Sequence, residues 1–580
     1  MMKNDMTFVL GGEAGQGVES TGAGFALALA RAGLRVFAVP DYRSRIRGGH
    51  NFFQIRAGDY EFFSHNEQVH LAMALTREAV DSHVRQLVPG GAIVYDTSLK
   101  VDKSAWPDGV QDFAMPIADL VQGAGGSKLM MNTAMVGIAA GLTGLDLRFV
   151  EGVIEDNFGR KRGDSMAEAN LKVAHAARDY ARAHFAERFP FKLEAVDAPK
   201  RLLIGGNPAM SLGALAGGIQ FMAGYPMTPG SPILEMITAK SAEFGVVTKH
   251  AEDEIAAICM AIGAGRAGAR AATATSGGGF SLMVEALGLA GMTEVPVVVF
   301  EVQRPGPSTG LPTRTEQSDL MFVLHASQGE FPRIVLAPGT IEEAFRDGWR
   351  AFNLAEKYQC PVIVLSDHFL ATSLQTVPPE ALDFGGVVID RGAMLTPEQL
   401  DALEGEYKRF AFTDSGISPW APPGHPKGVY RSASDEHDEY GSIEEDATNR
   451  RLMMEKRMRK LETSRADILP PKLYGPERAA ITFVSWGSGY YPVREAMRIL
   501  AQQGVSSNFL HITDVWPFPA QAVAEALRGA KRIMSVESNY TGQMAGLIRR
   551  ETGIHIEEQI LRYDGRPISP EYILRGLEGV

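Results

Sequence analysis

Cysteine is almost absent from this chain of 580 residues, which has only Cys259 and Cys360. Two thiols cannot hold an iron–sulfur cluster that needs four. They also give no disulfide framework, in keeping with a reducing compartment. Both sit among apolar neighbours and read as buried core thiols. Long apolar runs are missing too: no stretch reaches the ~18 uninterrupted apolar residues of a membrane span. The first residues lack the charged-then-apolar pattern of a secretory leader, so a cytoplasmic location is expected. Positive charge is in deficit, and the net charge of −12 argues against a nucleic-acid partner. Two phosphate-binding signatures are absent as well. Gly12, Gly15 and Gly17 do not follow the dinucleotide spacing Gly-x-Gly-x-x-Gly, which would need a glycine where Ser20 stands, and no Walker lysine and hydroxyl follow.

What is present is glycine, at 62 residues, much of it at junctions between loops and helices. A chain this long exceeds a single core, so three or four domains are expected. An apolar run at 7–10 meets the glycine loop 11–17, then a helical pattern at 18–32 and a strand pattern at 35–39, which predicts a parallel α/β unit. Periodicity fades across 188–199, where a boundary falls. From residue 201 strand patterns at 219–223, 246–249, 270–275, 295–302 and 361–365 alternate with helices, which points to a mostly parallel sheet covered on both faces. The acids of 252–254 open the helical pattern 252–265. Between 374 and 470 proline, glycine and charge dominate, apart from a polar helix at 446–465, and this reads as a connecting arm. A third α/β run starts at 480. The expected division is 1–190, 200–373, an arm at 374–474, and 475–580, with three parallel-sheet α/β domains.

Several loops could carry chemistry. Gly224-Tyr225-Pro226-Met227-Thr228-Pro229-Gly230 leaves the end of a strand, stiffened by two prolines. Open α/β sheets bind ligands at such carboxyl ends. Arg304 enters the loop Pro305-Gly306-Pro307-Ser308-Thr309-Gly310-Leu311-Pro312-Thr313, where it either grips a carboxylate with two parallel hydrogen bonds or forms a surface ion pair. Asp253 and Glu254 have a plain reading as acids favoured by the helix dipole. Ser276-Gly277-Gly278-Gly279 is either a backbone cradle for a phosphate or cofactor ring, or a close-packed turn. Gly15, Gln16 and Gly17 offer backbone donors to an anion at a helix start. Arg43, Arg45 and Arg47 either neutralise phosphates or form a solvated basic turn.

The Tyr225–Pro229 loop, the His250-Ala251-Glu252-Asp253-Glu254 segment and the Arg304–Thr313 run resemble those of the 2-oxoacid:ferredoxin oxidoreductases. Residues 1 to about 190 are similar to that family's gamma subunit, and the remainder to its alpha subunit. In the third run Gly487-Ser488-Gly489, Trp516-Pro517-Phe518-Pro519 and Glu537–Gln543 are similar to its transketolase carboxyl-terminal-type domain, and 200–373 to its thiamine pyrimidine-binding domain. The resemblance implies thiamine diphosphate, with Glu252 as the carboxyl that activates the aminopyrimidine and with Tyr225, Pro226, Ser276 and Gly277 against the cofactor. It implies Thr228, Arg304 and Thr313 as the groups that hold the oxoacid. It implies CoA as acyl acceptor, with Gly15, Gln16, Gly17 and Arg47 as candidates to touch it in a domain that closes the site over CoA. No Gly-Asp-Gly segment for Mg²⁺ and diphosphate occurs. A beta subunit is therefore implied to carry Mg²⁺, the diphosphate module and a 4Fe-4S cluster, in an assembly of two copies of each chain that reduces ferredoxin. The implied reaction is oxidative decarboxylation of 2-oxoglutarate to succinyl-CoA, reversible with strongly reduced ferredoxin. Pyruvate or another 2-oxoacid is the alternative substrate. The rival classes are a thiamine lyase without electron transfer and a non-catalytic CoA-binding assembly subunit.

Overall fold

The apolar run that opens the chain becomes the middle strand of a sheet. In the computed structural model, which describes residues 4–43, 48–159 and 164–578, the chain divides into two compact units. One runs to Ile204 and includes Thr372–Glu380 and Ser569–Arg575; the other comprises Gly205–Ala371, Ala381–Ile568 and the residues from Gly576 on.

In the first unit β1, Asp5–Glu13, is buried along nearly its whole length. It pairs in parallel with Val69–Ala74 and antiparallel with His50–Gly58. The sheet has eight strands, in the order Gln111–Met115, Leu87–Asp96, Val69–Ala74, β1, His50–Gly58, Arg35–Asp41, Leu374–Val377, Leu202–Ile204. The strand expected at 35–39 is present, but it is not the neighbour of β1: His50–Gly58 lies between them and turns that half of the sheet antiparallel. The sequence pattern hides this strand because a charged residue is among its buried ones. Arg56 is 3% exposed, donates to the Ser64 carbonyl at 2.8 Å and lies 4.4 Å from the Phe62 ring centre.

Helix α1, Val18–Arg31, starts from Gly17 at φ 72, a left-handed position that glycine occupies without steric cost. Behind it, helices Met131–Thr143 and Asp164–His184 pack at very short range. A methyl group on Gly137 would come within 2.4 Å of the Ala174 carbonyl oxygen, so glycine is what permits the approach.

The second unit holds the segments expected to bear the site. Its seven-stranded sheet is built around β2 (Phe221–Gly224), β3 (Val247–His250), β4 (Ala271–Thr275), β5 (Val297–Gln303) and β6 (Pro361–Asp367). The order is Asp514–Trp516, Ile334–Leu336, β6, β5, β4, β2, β3, parallel except at the Asp514–Trp516 edge. All seven residues of β5 are buried, as a strand covered on both faces requires. Helices α2 (Glu254–Arg266), α3 (Gly277–Met292) and α4 (Leu320–His325) start near the carboxyl ends of these strands. A five-stranded sheet of residues 472–561 follows, parallel apart from its first strand. Cys360 is buried as expected, whereas Cys259 is exposed on α2. Among the described residues no helix is long and apolar enough to cross a membrane.

Within 374–474, Leu374–Val377 is a strand of the first unit's sheet. Beyond it Leu400, Tyr407 and Ala421 form a small apolar cluster. Helix α5, Ala447–Ser464, is capped by Asp446, whose carboxylate accepts from the N–H groups of Thr448 and Asn449. Its charges are not all solvated. Met453, Lys456, Arg457, Lys460, Leu461 and Ser464, spaced as one helical face, point inward. Lys456 donates to Glu294 at 2.6 Å, Lys460 pairs with the same carboxylate, and Arg457 meets Glu436 at 2.6 Å. Burial alone would raise the Glu294 carboxyl, but Lys456, Lys460 and Arg409 outweigh it and hold it well below the usual carboxylate range. Burial pushes Lys456 down to about 7 against the pull of Glu294, since two ammoniums share one carboxylate.

Glu294→Ala should destabilise the second unit by about 3–5 kcal/mol in denaturant unfolding, because it strands two buried ammoniums without a counter-charge. Replacing all three residues with apolar ones of similar volume should recover most of that loss; no recovery would show that the charges themselves hold α5.

Candidate active site

The site is built where β2, β3, β4 and β5 end. The loop after β2 is pressed against the end of β4: a methyl group on Gly230 would lie 2.5 Å from the Thr275 carbonyl oxygen. Asn207 donates to the Pro229 carbonyl at 2.8 Å, and the Thr228–Pro229 peptide is cis. Arg304, at the end of β5, donates from Nη1 to the Thr228 carbonyl at 2.8 Å. The Pro/Thr loop and the arginine loop are thus joined by a direct bond. Arg304 is 9% exposed.

Between these loops lies a pocket of about 450 Å³, lined by Met227, Gly277, Gly278, Arg304, Ser308 and Asp319 among others. Ser308 holds a φ of 56 without being a glycine, the kind of backbone strain that concentrates at ligand-binding sites. Burial pushes the Asp319 carboxyl up to about 6; Glu316 adds to the rise and Arg304 opposes it. Burial lowers the Arg304 guanidinium, with Asp319 opposing. Behind the pocket Glu301 on β5 is fully buried and neither of its carboxyl oxygens has a hydrogen-bond partner. Burial raises it well above the carboxylate range, and Asp319 and Asp367 raise it further.

Helix α2 begins later than its acids suggest. Asp253 is its N-cap, accepting from the Ala256 N–H at 2.7 Å. Glu252 lies before the helix and is exposed. Glu254 is 3% exposed, and its Oε1 has no hydrogen-bond partner. That carboxyl leans over the first turn of α3, where a methyl group on Gly279 would sit 2.5 Å from Glu254 Oε1 and 2.1 Å from Thr275 Oγ1. Ser276, the residue before α3, is fully buried with an unpartnered hydroxyl. A buried carboxyl and a buried hydroxyl without partners, beside a helix start cleared of side chains, suit a polar, ring-bearing cofactor.

Comparison with known proteins agrees with this architecture. Residues 212–456 match the family "Pyruvate flavodoxin/ferredoxin oxidoreductase, thiamine diP-bdg". Residues 7–180 match "Pyruvate ferredoxin/flavodoxin oxidoreductase", and 479–573 match "Pyruvate:ferredoxin oxidoreductase core domain II". A 2-oxoacid:ferredoxin oxidoreductase subunit alpha of a Sulfolobus species is 34% identical over 97% of this chain and 95% of its own. The 2-oxoglutarate oxidoreductase subunit KorA of Mycobacterium tuberculosis is 31% identical, covering 93% and 86%. The chain belongs to the 2-oxoacid:ferredoxin oxidoreductase family, as an alpha subunit. The solved 2-oxoglutarate:ferredoxin oxidoreductase of Magnetococcus marinus, with 2-oxoglutarate, coenzyme A and succinyl-CoA bound, superposes with a TM-score of 0.92 at 33% identity over 100% of both chains. Thiamine diphosphate is the cofactor of the domain matched at 212–456, and the orphaned polar atoms around Gly279 fit such a group.

The structure of this oxidoreductase subunit brings Arg304 and Gly277 together at the pocket, with Ser276 next to Gly277; Thr228 does not line it and is tied to it through its carbonyl, which accepts from Arg304. Thr313 is buried and does not line that pocket. Tyr225 and Pro226 are exposed, and Tyr225 stacks on His250 with ring centres 6.3 Å apart. In the first unit Gly15, Gln16 and Gly17 line a cavity of about 630 Å³. There Gln16 Oε1 accepts the Glu13 N–H, and the Gln16 carbonyl accepts from Asn132. Arg43 pairs with Glu78, while Arg45 and Arg47 lie outside the described residues. The carboxyl that sequence reading passed over is Glu254. Its spacing contained the signal, since Glu254, Ala257, Ile258, Ala261 and Ile262 form the buried face of α2 and Glu252 falls off it.

Glu301 yields a test. A carboxyl raised by folding is stabilising while protonated, and that stability is lost as pH rises through its raised value. The melting temperature of Glu301→Gln relative to the parent should therefore climb between pH 5 and pH 9. An unchanged difference would mean that Glu301 does not titrate against folding.

Proposed function

We propose that this alpha subunit supplies one half of a thiamine site that decarboxylates 2-oxoglutarate oxidatively, forming succinyl-CoA and passing electrons to ferredoxin. The observation that carries the reading is the buried, unpartnered carboxyl of Glu254 beside the glycine start of α3. Thiamine diphosphate, when bound, supplies the nucleophilic carbon and the electron sink that loss of CO₂ requires. Glu254 then takes the role that the resemblance assigned to Glu252, holding a proton against the pyrimidine nitrogen. Ser276 and the first N–H groups of α3 would hold the ring, with the exposed Tyr225 and Pro226 on the loop beside it. Arg304 receives the substrate carboxylate. Its bond to the Thr228 carbonyl fixes the guanidinium so that little ordering remains to be done on binding. Thr313 supports the arginine loop from its far end.

The names of the KorA relative and of the Magnetococcus marinus enzyme favour 2-oxoglutarate over pyruvate. The absence of a Gly-Asp-Gly segment favours a beta subunit that brings Mg²⁺, the diphosphate module and a 4Fe-4S cluster. In the same unit Val247, Ile255, Met260 and Leu282 are exposed apolar side chains, which suit burial under that subunit in an (αβ)₂ assembly. The same reading takes the division at 190, 373 and 474 with Thr372–Glu380 and Ser569–Arg575 reassigned to the first unit, CoA held through Gly15, Gln16, Gly17 and Arg47, and the last part supporting assembly.

In the reconstituted complex Glu254→Gln should lower turnover about 10²-fold or more, whereas Glu252→Gln should stay within about twofold of the parent. The reverse outcome restores Glu252 as the activating carboxyl. Arg304→Ala should raise the KM for the oxoacid about tenfold to a hundredfold with kcat little changed. A CoA-dependent ferredoxin-reduction screen across oxoacids decides the substrate, and preference for pyruvate would overturn the choice of 2-oxoglutarate.

A further inference from the structure

Asp319 occupies the N-cap position of α4, yet its side chain makes no capping bond to that helix. Its backbone is held in place: the N–H donates to Gln303 Oε1 at 3.0 Å and the carbonyl accepts from the Val323 N–H at 2.8 Å. The carboxyl is directed instead at the first turn of α3, where a methyl group on Gly277 would lie 2.3 Å from Oδ2. Asp319 and Arg304 line the same pocket. An acid that could cap its own helix thus lies against the start of α3, in the pocket that Arg304 also lines.

We propose that Asp319 sets the pH dependence of oxoacid binding: protonated, it admits the anionic substrate to Arg304, and ionised, it competes for that arginine and repels the substrate. The proposal rests on Arg304 receiving the oxoacid carboxylate.

The surroundings keep this proton within working range. Glu316 lies on the same segment, Arg304 faces from the end of β5, and Glu301 stands behind on β5 with Asp367 of β6 beyond it. From α3 the neighbours are Gly277 and Ser281, and Gln543 meets the adjacent Ser318 and Met321; none of these carries charge. Asp564 acts on Glu316. Burial and Glu316 push the Asp319 carboxyl up to about 6 while Arg304 opposes. A substrate anion arriving at Arg304 adds negative charge beside Asp319, so binding favours the protonated form. The sign follows: kcat/KM for the oxoacid is highest below that value and declines above it.

The test uses the reconstituted holoenzyme at saturating CoA, with 2-oxoglutarate and pyruvate as probes between pH 5.5 and 8, where both carboxylates stay ionised. For the parent, kcat/KM should fall about tenfold between pH 6.5 and 7.5. Asp319→Asn should give a flat profile and, at pH 8, a lower KM than the parent, with thiamine diphosphate binding and melting temperature confirming assembly. Glu316→Gln should keep the fall and move it to lower pH. A flat profile in the parent, or an undiminished fall in Asp319→Asn, overturns the proposal. Should Arg304→Ala leave the KM unchanged, the failure lies instead in the reading of Arg304 as the carboxylate receiver.

Discussion

The active region depends on one steric condition: nothing but hydrogen can occupy the α-carbon of Gly279. Glu254 and Thr275 both crowd that point, so any larger residue would push the carboxyl away from the helix start or push α3 away from the sheet. The small residue keeps a buried carboxyl beside the first turn of α3. A buried carboxyl oxygen without a partner is costly to a folded protein. Such groups persist where function needs a polar atom left available for a ligand.

The carboxyl-bearing side chains of the second unit are used in two opposite ways. At Glu294 the negative charge is surrounded by Lys456, Lys460 and the Arg409 contact, and serves to hold α5 against the neighbouring helices and loops. Near the pocket the Glu301 carboxyl has no hydrogen-bond partner, and at Asp319 burial and Glu316 outweigh the one opposing cation, Arg304. The first arrangement fixes structure through complementary charge, and the second keeps protons available. The same residue type therefore plays either part according to whether cations were placed around it.

Much of this was legible in the sequence. The helix at 18–32 and the strands at 270–275, 295–302 and 361–365 stand within two residues of where their patterns put them, because short apolar runs bounded by glycine and proline leave little choice. That the Thr228 and Arg304 loops leave strand ends was readable from their prolines and glycines; the bond that joins them was not. What stayed hidden involves charged residues that are buried. His50–Gly58 conceals a paired arginine inside a strand, α5 turns lysines inward, and Glu254 belongs to a helix face that its acidic neighbours disguise. Polarity in a sequence signals exposure only while the charge has no partner or purpose inside.

The sheet of the first unit is completed from far along the chain. Leu374–Val377 pairs with Arg35–Asp41 on one side and Leu202–Ile204 on the other, and Ser569 and Arg575 both bind Glu67. A nascent polypeptide emerging from the ribosome therefore leaves one sheet edge open through several hundred residues of synthesis. During that interval the open edge can accept a foreign strand. Truncation after Ile204 would make that temporary exposure permanent, so the amino-terminal portion is better produced with its distal segments than as a free-standing fragment.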